Sequence, residues 1–422
     1  MLTFALVILI LFILVTLIVC RDRGAPHDRY FSTLETTLEQ SGIARPMMLL
    51  DMDRVDHNIE VVRQRMGDTS NLRIVAKSLP CPGLLAYLQQ KLETNRLMVF
   101  HQPFLNQLVR AFPDGDFLIG KPFPVAAATT FLDQLDEKEF NCLSQVQWLV
   151  DSYPRLEEYL ALAQKRELKF RINVEINVGL NRGGLAEANE LLPLLQLIQN
   201  NPDHLEFSGL MGYEAHLAKM PLSSIRQAGR KKALSTYSDF VAEIEQHFPE
   251  WLKKSLCFNG AGSMTYQLYP ENDRGPINEI SIGSAFVKPV DFDLDTLVEH
   301  QAALFIATPV LKKHRGLSLP FLSDFSQLAS RLNKNLEHSF FIYGGWWKAQ
   351  VCSPMGLKNN SFYGRSTNQE LLTGSSSTGL EVDCSVFLRP TQSESVMLQF
   401  GQIKIMRGSQ LSDQWQAFDQ DY

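Results

Sequence analysis

The sequence predicts an α/β protein: a TIM-type (β/α)8 barrel over residues 45–300, then a C-terminal mainly-β domain over 301–422, with one N-terminal transmembrane helix within residues 1–21. Three observations carry this reading. Short apolar runs alternate with segments of helical period through the middle of the chain, the pattern turns Gly-punctuated and β-rich beyond it, and the N-terminus holds an uncharged apolar stretch.

The alternation is the strongest of the three. Strand candidates are Met47–Leu50, Leu72–Lys77, Leu97–Phe100, Phe117–Ile119, Trp148–Val150, Phe170–Ile176, Leu210–Tyr213, Leu256–Phe258 and Ile280–Ile282. Between them lie amphipathic stretches such as Pro154–Lys165 and Ala186–Gln199, and Val55, Ile59, Val62 and Met66 fall at spacings of three and four. Repeated strand–helix–strand units favour a parallel sheet with helices outside, and 422 residues suit a barrel of roughly 250 residues plus an appended domain. An open doubly wound sheet is the rival, but no G-x-G-x-x-G follows an early strand.

Beyond residue 301 the β-rich segments are Phe340–Tyr343, Val382–Leu388, Val396–Phe400 and Ile403–Ile405. At the other end, Leu2–Cys20 carries no charge and is about long enough to cross ~30 Å of hydrocarbon. Arg21, Arg23 and Arg29 follow it, which predicts a single-pass anchor in a membrane with the bulk of the chain on the cytoplasmic side. A cleaved signal peptide is the alternative; it lacks a basic leading region and an A-x-A-like site. Residues 22–44 read as a linker and leading helix.

Composition narrows the function. A net charge of -6 leaves no Lys/Arg excess to neutralise a nucleic-acid backbone, so no nucleic-acid partner is expected. The six cysteines, Cys20, Cys81, Cys142, Cys257, Cys352 and Cys384, show no C-x-x-C pair or zinc-finger spacing and read as free thiols in a reducing compartment.

Three segments hold candidate chemistry. Lys77 closes an apolar run, where desolvation would favour the neutral amine that attacks an aldehyde; an ordinary lysine snorkelling at a strand end fits the same position. Asn259–Ser263 follows a strand, and its small residues let backbone amides approach a phosphate; many Gly-rich turns bind nothing. Glu175–Gly184 presents Arg182, either to an anionic oxygen or simply to solvent or a surface carboxylate.

Taken in order, these pieces resemble the fold-type-III pyridoxal-phosphate enzymes with an alanine-racemase-like barrel, in the D-serine dehydratase and D-threonine aldolase branch. The matching residues are Arg45-Pro46 with Leu50-Asp51-Met52-Asp53 and Asn58, Ala76-Lys77-Ser78, Glu175-Ile176 with Gly179–Gly184, Gly212–His216, Asn259–Ser263, and Asn278-Glu279-Ile280 with Gly283-Ser284. The resemblance implies a pyridoxal 5'-phosphate cofactor bound as a Schiff base to Lys77. It implies that Arg182 contacts the cofactor's phenolic oxygen and that Gly260, Ala261, Gly262 and Ser263 hold its phosphate. Tyr213 and His216 would stand beside the ring, with Lys77, His216 and Tyr213 as the catalytic set. A hydrogen-bonded core histidine is the other reading of His216. Two departures are visible. Ser281 stands where racemases present an arginine to the ring nitrogen, and Gln392 and Glu394 stand where the branch carries its zinc ligands, so no metal is expected. The resemblance implies a lyase acting on a small D-amino acid, of D-threonine aldolase or D-serine dehydratase type, and a homodimer. A racemase of the same fold and a non-catalytic cofactor carrier are the alternatives.

Overall fold

The computed structural model describes residues 4, 20–42, 44–69, 71–135, 142–317, 330, 332–360 and 363–419. Two compact units divide the chain, one of residues 54–303, 393–401 and 415–422, the other of residues 1–53, 304–392 and 402–414.

The first unit is a closed parallel barrel. The strand β1 (Met47–Asp51) belongs to the other unit. The barrel strands are β2 (Leu72–Val75), β3 (Arg96–Val99), β4 (Asp116–Ile119), β5 (Val146–Val150), β6 (Phe170–Ile176), β7 (Leu205–Gly212), β8 (Cys257–Gly260) and β9 (Glu279–Ile282), with β9 pairing back to β2. A period of two along each strand sorts side chains to the two faces. On β5, Trp148 faces outward to the helices and is fully buried against Phe131, Tyr159 and Phe170, at ring-centroid distances of 5.7, 5.6 and 5.3 Å. Its neighbour Gln147 faces inward and accepts a hydrogen bond from Asn173 of β6 at 3.3 Å.

The lower barrel interior is charged as well as apolar. Arg73 of β2, fully buried, donates through Nε and Nη2 to the two carboxylate oxygens of Glu279 at 2.5 and 2.8 Å, and pairs with Asp116 at 2.9 Å. Arg96 adds a second cation to Glu279 at 2.8 Å. Burial alone would raise the Glu279 carboxyl, but the charges of Arg73 and Arg96 pull it down to about 2.

The second unit is a sheet of nine strands, β1 with β10 (Leu304–Arg315), β11 (His338–Tyr343), β12 (Ala349–Ser353), β13 (Lys358–Asn359), β14 (Gln369–Gly374), β15 (Ser385–Pro390), β16 (Gln402–Arg407) and β17 (Gln410–Gln416). Its main path runs β13-β14-β11-β10-β1-β16-β17, while β15 pairs with β10 and β12. Helix Arg29–Gln40 begins where Asp28 accepts a hydrogen bond from the Phe31 amide and lays Leu34 and Leu38 on Met47, Leu49, Ala307 and Phe387.

Three expectations are corrected. Among the described residues no helix is long and apolar enough to cross a membrane, so the transmembrane helix, the membrane as a partner and the single-pass placement with a cytoplasmic catalytic domain are withdrawn. Residues 1–3 and 5–19, on which that expectation falls, lie outside the described residues. Val396–Phe400, expected as a strand, lies in the helix Ser393–Phe400, because Val396 and Met397 are adjacent inward positions on a helical face. Lys77 does not end a strand: β2 stops at Val75 and the lysine sits in the 3-10 turn Ala76–Ser78.

Candidate active site

Because all eight barrel strands run parallel, the turns that follow them open at one end of the barrel, where such folds gather functional residues. Lys77 follows β2, Arg182 lies in the loop after β6, Tyr213 and His216 follow β7, and Gly260–Ser263 ends β8.

The Lys77 turn is tied to the β8 turn through Gly283, just past β9. Its amide donates to Ser263 Oγ at 2.8 Å, and a Cβ on Gly283 would stand 2.8 Å from Val75 Cβ and 3.0 Å from Ser78 Cβ. Only a residue without a side chain permits that approach. Lys77 itself is not desolvated as expected. Its side chain keeps 44 % exposure, with Nζ 5.0 Å from the Phe100 ring centroid and 3.8 Å from Glu394 Oε1.

The β8 turn is built around a buried acid that sequence reasoning passed over. Glu214 is 1 % exposed; it accepts from the Thr265 hydroxyl at 2.8 Å and the Ala261 amide at 3.3 Å, and Thr265 Oγ1 in turn accepts from the Gly262 amide at 3.1 Å. Ala261 is held in the left-handed region at φ 56°, a conformation that costs roughly 1–2 kcal/mol and is fixed here by those bonds. Gly262 is required for another reason: a Cβ there would meet Tyr213 Cε2 at 2.6 Å, so the ring lies directly on the turn.

Arg182 stacks over that ring, its guanidinium carbon 5.4 Å from the Tyr213 centroid. Asn177 pins its loop, with Oδ1 accepting from the Gly179 and Asn181 amides at 3.1 and 3.0 Å. Burial, with Asp151 adding to it, raises the Glu175 carboxyl against the opposing charge of Arg182. Burial, with the Glu214 charge behind it, pushes the Tyr213 hydroxyl up to about 12, which keeps it a proton donor at neutral pH. Burial lowers His216, whose Nδ1 is buried with no hydrogen-bond partner among the described residues. Ser281 is engaged elsewhere: its hydroxyl pairs with the Asn259 side chain at 2.8 and 3.2 Å. The structure thus links Lys77 to Ser263 through Gly283, and Arg182 through Tyr213 to Gly262.

Glu214 carries a prediction of its own. Burial raises its carboxyl to about 7, against hydrogen bonds from Thr265, Ala261 and Tyr269. A carboxyl raised on folding contributes stability that is complete below its unfolded value and is lost as pH rises through the folded one. Glu214→Gln is therefore expected to flatten the stability profile between about pH 4.5 and pH 7, its stability relative to wild type rising by on the order of 3 kcal/mol across that window. Thermal melts of both proteins at pH 5 and pH 8 check this; parallel shifts in the two would contradict it.

Comparison with known proteins agrees with this architecture. Residues 50–288 match the family described as alanine racemase, N-terminal domain. The chain belongs to that family, the fold-type-III pyridoxal-phosphate enzymes. No curated protein matches it significantly in sequence. Among solved structures it is similar to D-threonine aldolase from Filomicrobium marinum, at 16% identity and a TM-score of 0.69, covering 89% of this chain and 97% of that one. It is also similar to D-threo-3-hydroxyaspartate dehydratase from Delftia sp. HT23, at 14% identity and a TM-score of 0.69, with 89% and 97% covered. An alanine racemase from Bacillus anthracis follows at 14% identity, a TM-score of 0.63, and 89% and 98% covered.

Proposed function

We propose that the protein is a pyridoxal 5'-phosphate-dependent lyase that acts on a small D-amino acid through a covalent bond between Lys77 and the cofactor. The observation that carries the proposal is the physical link from the Lys77 turn through Gly283 to Ser263, on the open end of a parallel barrel. The residues fit the group. Lys77 offers an accessible amine, the Gly260–Ser263 turn is small enough for a phosphate to approach its backbone, and His216 Nδ1 is a buried polar atom still in need of a partner.

When bound, pyridoxal phosphate supplies an electron sink for the pair released at the substrate's α-carbon. The chain's own residues do the rest. Gly260, Ala261, Gly262 and Ser263 hold the phosphate, and Arg182, over the Tyr213 ring, supplies the cation for the phenolic oxygen. Tyr213 and His216 would stand beside the cofactor ring, burial keeping the Tyr213 hydroxyl protonated and favouring the neutral imidazole of His216. Lys77, freed when substrate replaces it, takes the α-proton on Nζ. A small D-amino acid bearing a β-hydroxyl is the substrate class, supported by the aldolase and dehydratase among the similar structures.

The test is turnover of D-serine, D-threonine and D-alanine by cofactor-loaded protein, with and without added divalent metal. Release of ammonia from D-serine or of an aldehyde from D-threonine is the expected result. Interconversion of alanine enantiomers without either would replace the lyase by a racemase. Cofactor binding with no turnover of any of the three would make the protein a carrier.

A further inference from the structure

The helix Ser393–Phe400 sets a carboxylate beside the reactive lysine. Ser393 is fully buried, and its hydroxyl donates to the Ser78 carbonyl at 2.6 Å, one residue beyond Lys77. Val396 and Met397 anchor the same helix in apolar surroundings. Its second residue, Glu394, is therefore held in register with the lysine, Oε1 3.8 Å from Nζ. The Glu394 side chain keeps 28 % exposure, so its charge borders open space instead of being packed away.

An ion pair of this kind is satisfied only while the lysine carries its ammonium. Under the function proposed above, the amine is committed to the cofactor until substrate replaces it, so the carboxylate is without its partner while substrate arrives. A cation or hydroxyl donor on the substrate replaces what Glu394 has lost, whereas a second carboxylate meets like charge in a partly desolvated site. We infer that Glu394 is a specificity-determining residue: it selects D-amino acids with a neutral hydroxyl or cationic side chain and rejects those with an acidic one. The inference rests on Lys77 being the cofactor's attachment point.

Spectral titration of the cofactor-loaded protein with D-serine and D-aspartate reads this without relying on turnover. Wild type is expected to bind D-serine at least about 100-fold more tightly than D-aspartate, since like-charge juxtaposition costs several kcal/mol. Glu394→Gln is expected to narrow that ratio by about tenfold or more, and Glu394→Asp to preserve it. A role in packing alone would not produce a charge-selective split or its rescue by aspartate. Equal binding of the two ligands by wild type, or an unchanged ratio in Glu394→Gln, overturns the inference and leaves the proposed function standing. Absence of any cofactor absorption in wild type overturns both.

Discussion

Lys77→Ala is expected to abolish the visible absorption of bound cofactor and to lower turnover by at least roughly 10³-fold, because one side chain is both the attachment point and the base. The amine emerges from a 3-10 turn fixed on one side by Ser393 and on the other by Gly283. Lys77→Arg keeps the charge facing Glu394 and is expected to lose the absorption equally, since a guanidinium stays protonated and does not condense with an aldehyde. Absorption spectra of the three proteins after cofactor loading and gel filtration check this, with thermal melts to show that the barrel is intact. Retained absorption in the alanine variant would contradict the assignment.

Glu279→Ala is expected to be the most damaging single change to the barrel, at about 3–5 kcal/mol, because it leaves Arg73 fully buried without its carboxylate. Arg96, Asn259 and the Cys257 thiol all direct hydrogen bonds to the same carboxylate, at 2.8, 2.8 and 3.2 Å, and lose their acceptor together. For a domain of this size the melting temperature should fall by roughly 10 °C or more. Removing both charges, in Arg73→Met with Glu279→Leu, is expected to recover part of the loss, since the two fully buried ions leave together and the partners left behind, Asp116 and Arg96, keep 28% and 30% side-chain exposure to water. The same carboxyl has a pH signature opposite to that of Glu214. Held at about 2 when folded, it contributes stability above its ordinary value near 4.5 that is lost as pH falls toward 2. Melting curves from pH 5 down to pH 2 for wild type and the double variant test the sign; identical acid sensitivity would contradict it.

Much of the barrel is legible because its signal is local. Apolar runs separated by helical period mark all eight strands, and Phe170–Ile176 matches β6 residue for residue. Met47–Leu50 reads the same way yet pairs with β10 and β16 in the sheet, because a strand buried at every position looks alike in either setting. The residues Lys77, Arg182, Tyr213 and Gly260–Ser263 stand in short motifs that the sequence displays directly. Their partners are not. Glu394 reaches Lys77 only through the return of a distant segment, and no local pattern announces it. Glu214 reads as an ordinary polar residue until the fold buries it against Ala261 and Thr265; its place between Tyr213 and His216 was the available signal. Arg73 lies in a run read as apolar, where the alternation that turns Leu72 and Ile74 toward the helices turns the arginine toward Glu279.

The central claim is that the ε-amine of Lys77 bonds to the cofactor. Borohydride reduction of the loaded protein, followed by proteolysis and mass spectrometry, tests it most directly. A single pyridoxyl-phosphate mass on the peptide carrying Lys77 is the predicted result. That mass on another lysine, or on no peptide while the cofactor remains bound, would contradict it.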